Sequence, residues 1–391
     1  MSGSNVPNTF SLLQGGPTHR LQARLGLQAG DGLPTVRTGL IVAAIAWGPL
    51  AVLAAFDARN WDFQLGTSFY TDFGAYARYL LAIFILIVTE RVADRRLNRL
   101  LSSFEESGIV GLGSHKDFLA MLVIADARTS SGRAELVMLL AAFGWATASL
   151  LHTQQINPDI WLSAGVSVSG PLSPAGWWQL LVSMPLFHFL VLRWFWRFGV
   201  WTVLLKNIAS LPLQLVPTHP DRSGGLGFLT LFPAMFIPLA FSLSAVVASQ
   251  ALQEILFDDA TFEVLRVSAI AWVIFVLVIF VGPLAVFSRP LISLQERAIL
   301  DYGELVARYN RDAERQLYSE DAESRVLDAP TISAVADIAA GLDTIYSIKI
   351  LPIQLWSIIP LALSAIVPMI AVAAVQVPIQ TILSRIFGAI F

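Results

Sequence analysis

The sequence contains no cysteine. Disulfides, thiolate nucleophiles and cysteine-ligated metal centres are excluded together. Charge is also scarce: Asp, Glu, Lys and Arg make up 14% of the 391 residues, against about a quarter in an ordinary soluble domain. A net charge of −3 provides no basic field for nucleic acid. No Gly-x-Ser-x-Gly, His-Glu-x-x-His, phosphate-binding loop or dinucleotide fingerprint occurs, so no familiar catalytic constellation or cofactor is implied. Residues 1–37 lack a basic segment followed by an apolar run, the pattern of a signal peptide. Internal repeats are absent too, and an odd number of spans argues against two equal inverted halves.

What the chain has in quantity is apolar length. Hydrophobic residues make up 55% of the sequence, and mean hydropathy is +0.66. A helix needs about 20 mostly apolar residues to cross the hydrocarbon core. Stretches at 38–56, 74–92, 134–152, 176–193, 226–250, 267–288 and 353–375 meet that need. The expected fold class is all-α, a polytopic transmembrane helix bundle of about seven spans. Lys and Arg set its direction. With the N-terminus inside and the C-terminus outside, 21 of the 25 Lys and Arg residues fall on the inner side. Trp194, Trp196 and Trp201, interleaved with Arg193 and Arg197, read as interfacial anchors, as do Glu90 and Arg91. The expected location is a cell membrane of the bacterial inner-membrane type, with the lipid bilayer as first partner.

The inner side is expected to be helical. After Pro290, Leu291, Leu294, Ala298, Tyr302, Leu305, Tyr309 and Ala313 recur at intervals of three or four, which makes one helical stripe. Such a helix projects about 40 Å at about 1.5 Å per residue. Its stripe needs a cover, either another helix of the chain or a second copy. A further helix is expected over 331–350, and another near 114–128, opened by Ser114 with Asp117 three residues on in the manner of a capping box. The expected organisation is then a tail at 1–37, with an amphipathic stretch around Leu21 and Leu25. A six-span bundle at 38–289 follows, then inner amphipathic helices at 290–350, a proline-broken span at 351–376 and an amphipathic outer helix at 377–391.

Three places hold candidate functional residues. At the inner start of the fifth span, Pro217 and Pro220 forbid a continuous helix, and Gly224 and Gly225 permit close backbone approach. Free N–H groups there, beside His219, Asp221 and Arg222, suit an anion or an anionic lipid headgroup. The alternative is a tight turn that packs a helix end, with Asp221 or Ser223 as its cap. His219 and Asp221 lack a third metal ligand, so no metal site is expected. In the seventh span, Ser357, Pro360, Ser364 and Pro368 mark a candidate pore or gate, because proline frees carbonyls that must be buried or face a water-filled cavity; a kinked helix packed in the bundle is the alternative. His188 lies within the fourth span, either as a functional titratable group or as a neutral hydrogen-bonding partner. No Asp or Glu falls in the middle of a span, which disfavours a proton-coupled transporter built on buried carboxylates.

The string Thr218-His-Pro-Asp-Arg-Ser-Gly-Gly-Leu-Gly-Phe-Leu229 resembles a run found in uncharacterised bacterial inner-membrane proteins, and that resemblance brings no activity with it. The plan of seven spans, with inner helices before the last, is similar in layout to insect chemoreceptor channels, which implies a homo-oligomeric channel. The expected function is therefore an oligomeric ion channel or small-solute pore lined by the last span. The alternatives are a membrane-embedded sensor or scaffold, and a lipid- or anion-binding carrier or enzyme using the His219–Arg222 turn.

Overall fold

The computed structural model describes residues 17, 33–57, 60–61, 63, 67–156, 161–163, 171–257, 262–317 and 329–376. The expected outer helix at 377–391 and the amphipathic stretch near Leu21 lie outside these residues. The fold is an all-α bundle. Among the described residues, seven helices are long and apolar enough to cross a bilayer, which fits a multi-pass integral membrane protein. Among the described residues, β structure is limited to two isolated bridges.

The crossing helices are α1 (Leu33–Ala55), α2 (Phe73–Glu106), α4 (Gly132–Ile156), α5 (Pro174–Ala209), α6 (Ile237–Phe257), α7 (Phe262–Val281) and α10 (Leu355–Gln376). Between them lie α3 (His115–Thr129), α8 (Ser288–Leu317) and α9 (Ala329–Tyr346). The most apolar windows of α5 and of the α6 span are 61% and 56% buried, whereas those of α4, α7 and α10 are 28% buried. Helices α5 and α6 therefore form the centre, and the others turn broad apolar faces outward. Leu40, Ile45 and Val52 on α1 and Ile270, Ile274 and Val278 on α7 are exposed, as lipid-facing side chains must be.

Proline and glycine shape the helix ends. Before α6 the chain runs in 3₁₀ turns over Leu226–Leu231 and Pro233–Phe236, because Pro233 has no N–H to donate back. The sixth span does not pass into the inner helix without interruption: a 3₁₀ turn at Gly282–Phe287, around Pro283, separates α7 from α8. The seventh span corrects the expectation of a break, since α10 carries Pro360 and Pro368 inside one uninterrupted helix. In lipid, a fully opened turn would leave several backbone groups without partners, so the helix tolerates each missing N–H. The capping box at Ser114 also fails to form. Ser114 already has helical dihedrals at the end of a 3₁₀ turn, and its hydroxyl makes no cap bond.

The cover for the helical stripe of α8 is a helix of the same chain. Helix α9 packs along α8, and the Gln295 side-chain amide donates to the carbonyls of Ile345 and Tyr346. Leu291 and Ala298 are buried at its base, while Leu305 and Tyr309 further along remain partly exposed.

Two stretches are π-helical: Tyr76–Ala82 in α2 and Gln179–Ser183 in α5. Both lie in the half of the bundle away from the arginine-rich end. Such bulges concentrate at functional positions in helices.

Candidate functional site

The Pro217–Leu229 turn is self-contained. The Asp221 carboxylate accepts from the backbone N–H groups of Ser223 (2.8 Å), Gly225 (3.2 Å) and Gly227 (2.7 Å). His219 Nδ1 lies 2.8 Å from Asp221 Oδ1. Partial burial alone would raise the Asp221 pKa, but these three backbone donors and His219 outweigh it and hold the carboxyl below its ordinary value. The chain turns back by placing Arg222, Gly224 and Gly225 at φ values of 54°, 65° and 98°, the left-handed region. A Cβ on Gly227 would meet the Asp221 side chain at 2.8 Å, so glycine is needed for the carboxylate to reach in. The N–H groups expected to face an external anion are thus engaged by Asp221.

The same turn ties the arginine-rich end together. The Arg222 carbonyl accepts from Lys349 N–H at 2.8 Å, and Gly224 packs against Leu291 and Leu294 of α8. Just upstream, Gln214 N–H donates to the carbonyl of Ile109 in the loop before α3. Among the described residues no group of three or more His, Cys, Asp or Glu side chains could hold a metal ion.

In α10, the polar side chains face inward. Ser357 and Ser364 are buried; the Ser357 hydroxyl donates to the Gln354 carbonyl just before the helix, and the Ser364 hydroxyl to the Leu361 carbonyl within it. Leu355, Trp356, Ile359, Leu363 and Val367 form the exposed face. The surface that α10 offers to its surroundings is apolar, and its packing is against α6 and α7.

The strongest concentration of charge was hidden in the sequence. Glu90 on α2 receives both Arg193 and Arg197 of α5, each guanidinium reaching the same carboxylate oxygen. Arg193 and Arg197 are 3% and 4% exposed, so they are not surface anchors, and this corrects the expectation drawn from their tryptophan neighbours. Glu135, at the start of α4, is also buried and bears electrostatically on Arg197. One turn beyond Glu90 on α2, Asp94 is buried as well. The flanking tryptophans hold the geometry: Trp194 Nε1 donates to the Leu86 carbonyl on α2, and Trp196 Nε1 to the Arg128 carbonyl on α3. The single sequence signal was the i, i+4 spacing of Arg193 and Arg197, which puts both on one face of α5.

Further along the same helix pair lies a second polar group. Arg78 and Tyr79 sit in the π-helical part of α2, about 18 Å from Glu90 along the helix axis. His188 on α5 is 6% exposed, with its ring stacked on Trp145 of α4 at 4.6 Å and 7°. Arg78 is near enough to bear on His188 electrostatically. Ile83 and Leu86 on α2, with Leu190 and Val191 on α5, are buried along the intervening stretch. The two polar levels are thus well separated on α2, whereas on α5 His188 lies about 7.5 Å before Arg193.

Comparison with protein-family models, curated proteins and solved structures finds no match for this chain.

Proposed function

We propose that this protein is a membrane-embedded channel or small-solute pore whose path follows the α2–α5 seam rather than the last span. The observation that supports this reading is the set of buried, unpartnered polar atoms of Arg78, Tyr79 and His188 on this helix pair, which ends at the mutually satisfied Glu90–Arg193–Arg197 cluster. Ionisable side chains inside a membrane bundle are costly and concentrate along ion and solute pathways. The inward-facing serines and apolar outer face of α10 favour the seam over the last span. Such a path lies within one chain and needs no second copy.

Flux from liposomes holding the purified full chain tests the reading. The expected result is ion flux above empty liposomes, altered by His188→Gln on the seam and unaltered by Ser364→Ala on α10. Absence of flux, or sensitivity confined to Ser364→Ala, overturns it. Light scattering in mild detergent separates a path within one chain from one shared between copies.

A membrane-anchored docking protein is the second reading. It is favoured by a cavity of about 600 Å³ at the arginine-rich end, between the Leu211–Pro217 loop and α8, where Ser293, Arg297, Asp301 and Tyr302 stand among leucine and proline side chains. It predicts no flux and a soluble protein that co-purifies through this cavity, lost in Tyr302→Ala.

A further inference from the structure

Buried polar atoms without partners are rare in folded proteins, and each asks for an explanation. In the half of the bundle away from the arginine-rich end, three of them belong to Arg78 and to two side chains on which it bears electrostatically, Tyr79 and His188. Tyr79 is completely buried, and its hydroxyl has no hydrogen-bond partner. The Arg78 guanidinium carbon lies 5.7 Å from the centre of the Tyr79 ring. Arg78 Nε is itself buried and unpartnered, as is His188 Nδ1.

The chemistry of the set is one-sided. A guanidinium N–H can only donate, and a phenol donates readily. The nearby counter-charge is weak. Asp72 stands 4.0 Å from Arg78, beyond a direct hydrogen bond, and already accepts from Ala75 N–H (3.0 Å), Trp161 Nε1 (3.3 Å) and Gln253 Nε2 (3.3 Å). An arginine among apolar helices, with its carboxylate partner shared among three other donors, has room for a second negative charge. The helix carrying Arg78 and Tyr79 is π-helical there, which aims side chains away from their regular α-helical directions.

We infer that Arg78, Tyr79 and His188 form a binding site for a small monovalent anion of halide size within the bundle. The inference rests on the α2–α5 path proposed above and names its cargo: the donor set selects an anion over a cation. Arg78 supplies the charge, Tyr79 the directed O–H donor, and His188 a further N–H when its Nδ1 carries the proton. Helix α4 backs the site through the Trp145 ring stacked on His188.

Thermal unfolding of the full chain in detergent, in sodium chloride or bromide against sodium gluconate at constant ionic strength, reads the site directly. The expected result is a saturable rise in Tm with halide alone. Arg78→Gln abolishes that rise. Tyr79→Phe, which removes one oxygen and leaves the packing, weakens the apparent halide affinity about tenfold, the effect of one hydrogen bond to a charge. Equal Tm in halide and gluconate overturns the site and leaves bound water as the occupant. A halide effect unchanged in both variants overturns it as well. Halide binding without any flux would sink the path and keep the site; flux carried by cations, without halide binding, would sink the site and keep the path.

Discussion

Two polar levels on one helix pair behave in opposite ways. At the arginine-rich level, α2 and α5 are regular helices, and Glu90, Arg193 and Arg197 are joined to one another. At the other level α2 is π-helical around Arg78 and Tyr79, and Arg78 Nε, Tyr79 Oη and His188 Nδ1 are buried without partners. Charges that satisfy one another fix which helices touch and at what register. Donors left open inside the bundle hold stabilisation in reserve for something that is not protein. A buried charge therefore marks a binding site when its hydrogen bonds are incomplete, and a clamp when they are complete.

The largest expected effect attacks the clamp. Glu90→Ala leaves two guanidiniums buried against each other and costs about 3–5 kcal/mol, the usual penalty for breaking a buried pair on one side. Thermal unfolding in detergent reads it, and a loss below about 1 kcal/mol would mean that water already satisfies the arginines. A double-mutant cycle of Glu90→Gln with Arg197→Gln sharpens the point, because a clamp requires strong coupling between the two changes.

Asp221 provides an intermediate case, since it is fully engaged but only half-buried. Asp221→Ala strands three N–H groups and costs about 1–3 kcal/mol. Its pKa is lowered in the folded state, so its contribution is complete above the ordinary carboxyl value of 3.8 and is lost as pH falls through the lowered value. The stability gap between the wild-type chain and Asp221→Ala is expected to shrink on acidification below that point and to stay constant above it. A gap that instead grows on acidification would contradict the assignment.

The smallest effect is expected at the open level. In gluconate, Tyr79→Phe removes a hydroxyl that bonds to nothing, so stability changes by no more than about 1 kcal/mol in either direction. A loss as large as that of Glu90→Ala would erase the contrast between the two levels and give Tyr79 a structural partner.

Much of the fold could be read along the chain. The seven apolar stretches coincide with seven helices among the described residues, and helices also form at His115–Thr129, Ser288–Leu317 and Ala329–Tyr346, close to the bounds expected. Their exact character could not be read: Pro360 and Pro368 looked like breaks, yet α10 passes through them, because lipid penalises an opened backbone more than one missing donor. The candidate site was legible only in pieces. His188 stood out as an ionisable residue inside an apolar run, but Arg78 read as an outer-side cation, and Glu90, Arg193 and Arg197 sat where long polar side chains ordinarily reach for the interface.

Apolar length is a local property, and it alone determined how many helices this chain sends across a bilayer, since each stretch meets lipid on its own account. Which charges pair is not local. Glu90 and Arg193 are 103 residues apart in sequence and meet only because α2 lies against α5. The tertiary structure thus decided that Arg193 and Arg197 turn inward, that the His219–Gly227 turn closes on its own carboxylate, and that Arg78 Nε, Tyr79 Oη and His188 Nδ1 are buried without partners. Coulomb attraction and hydrogen bonding act over a few ångströms, so they follow neighbours in space rather than order along the chain.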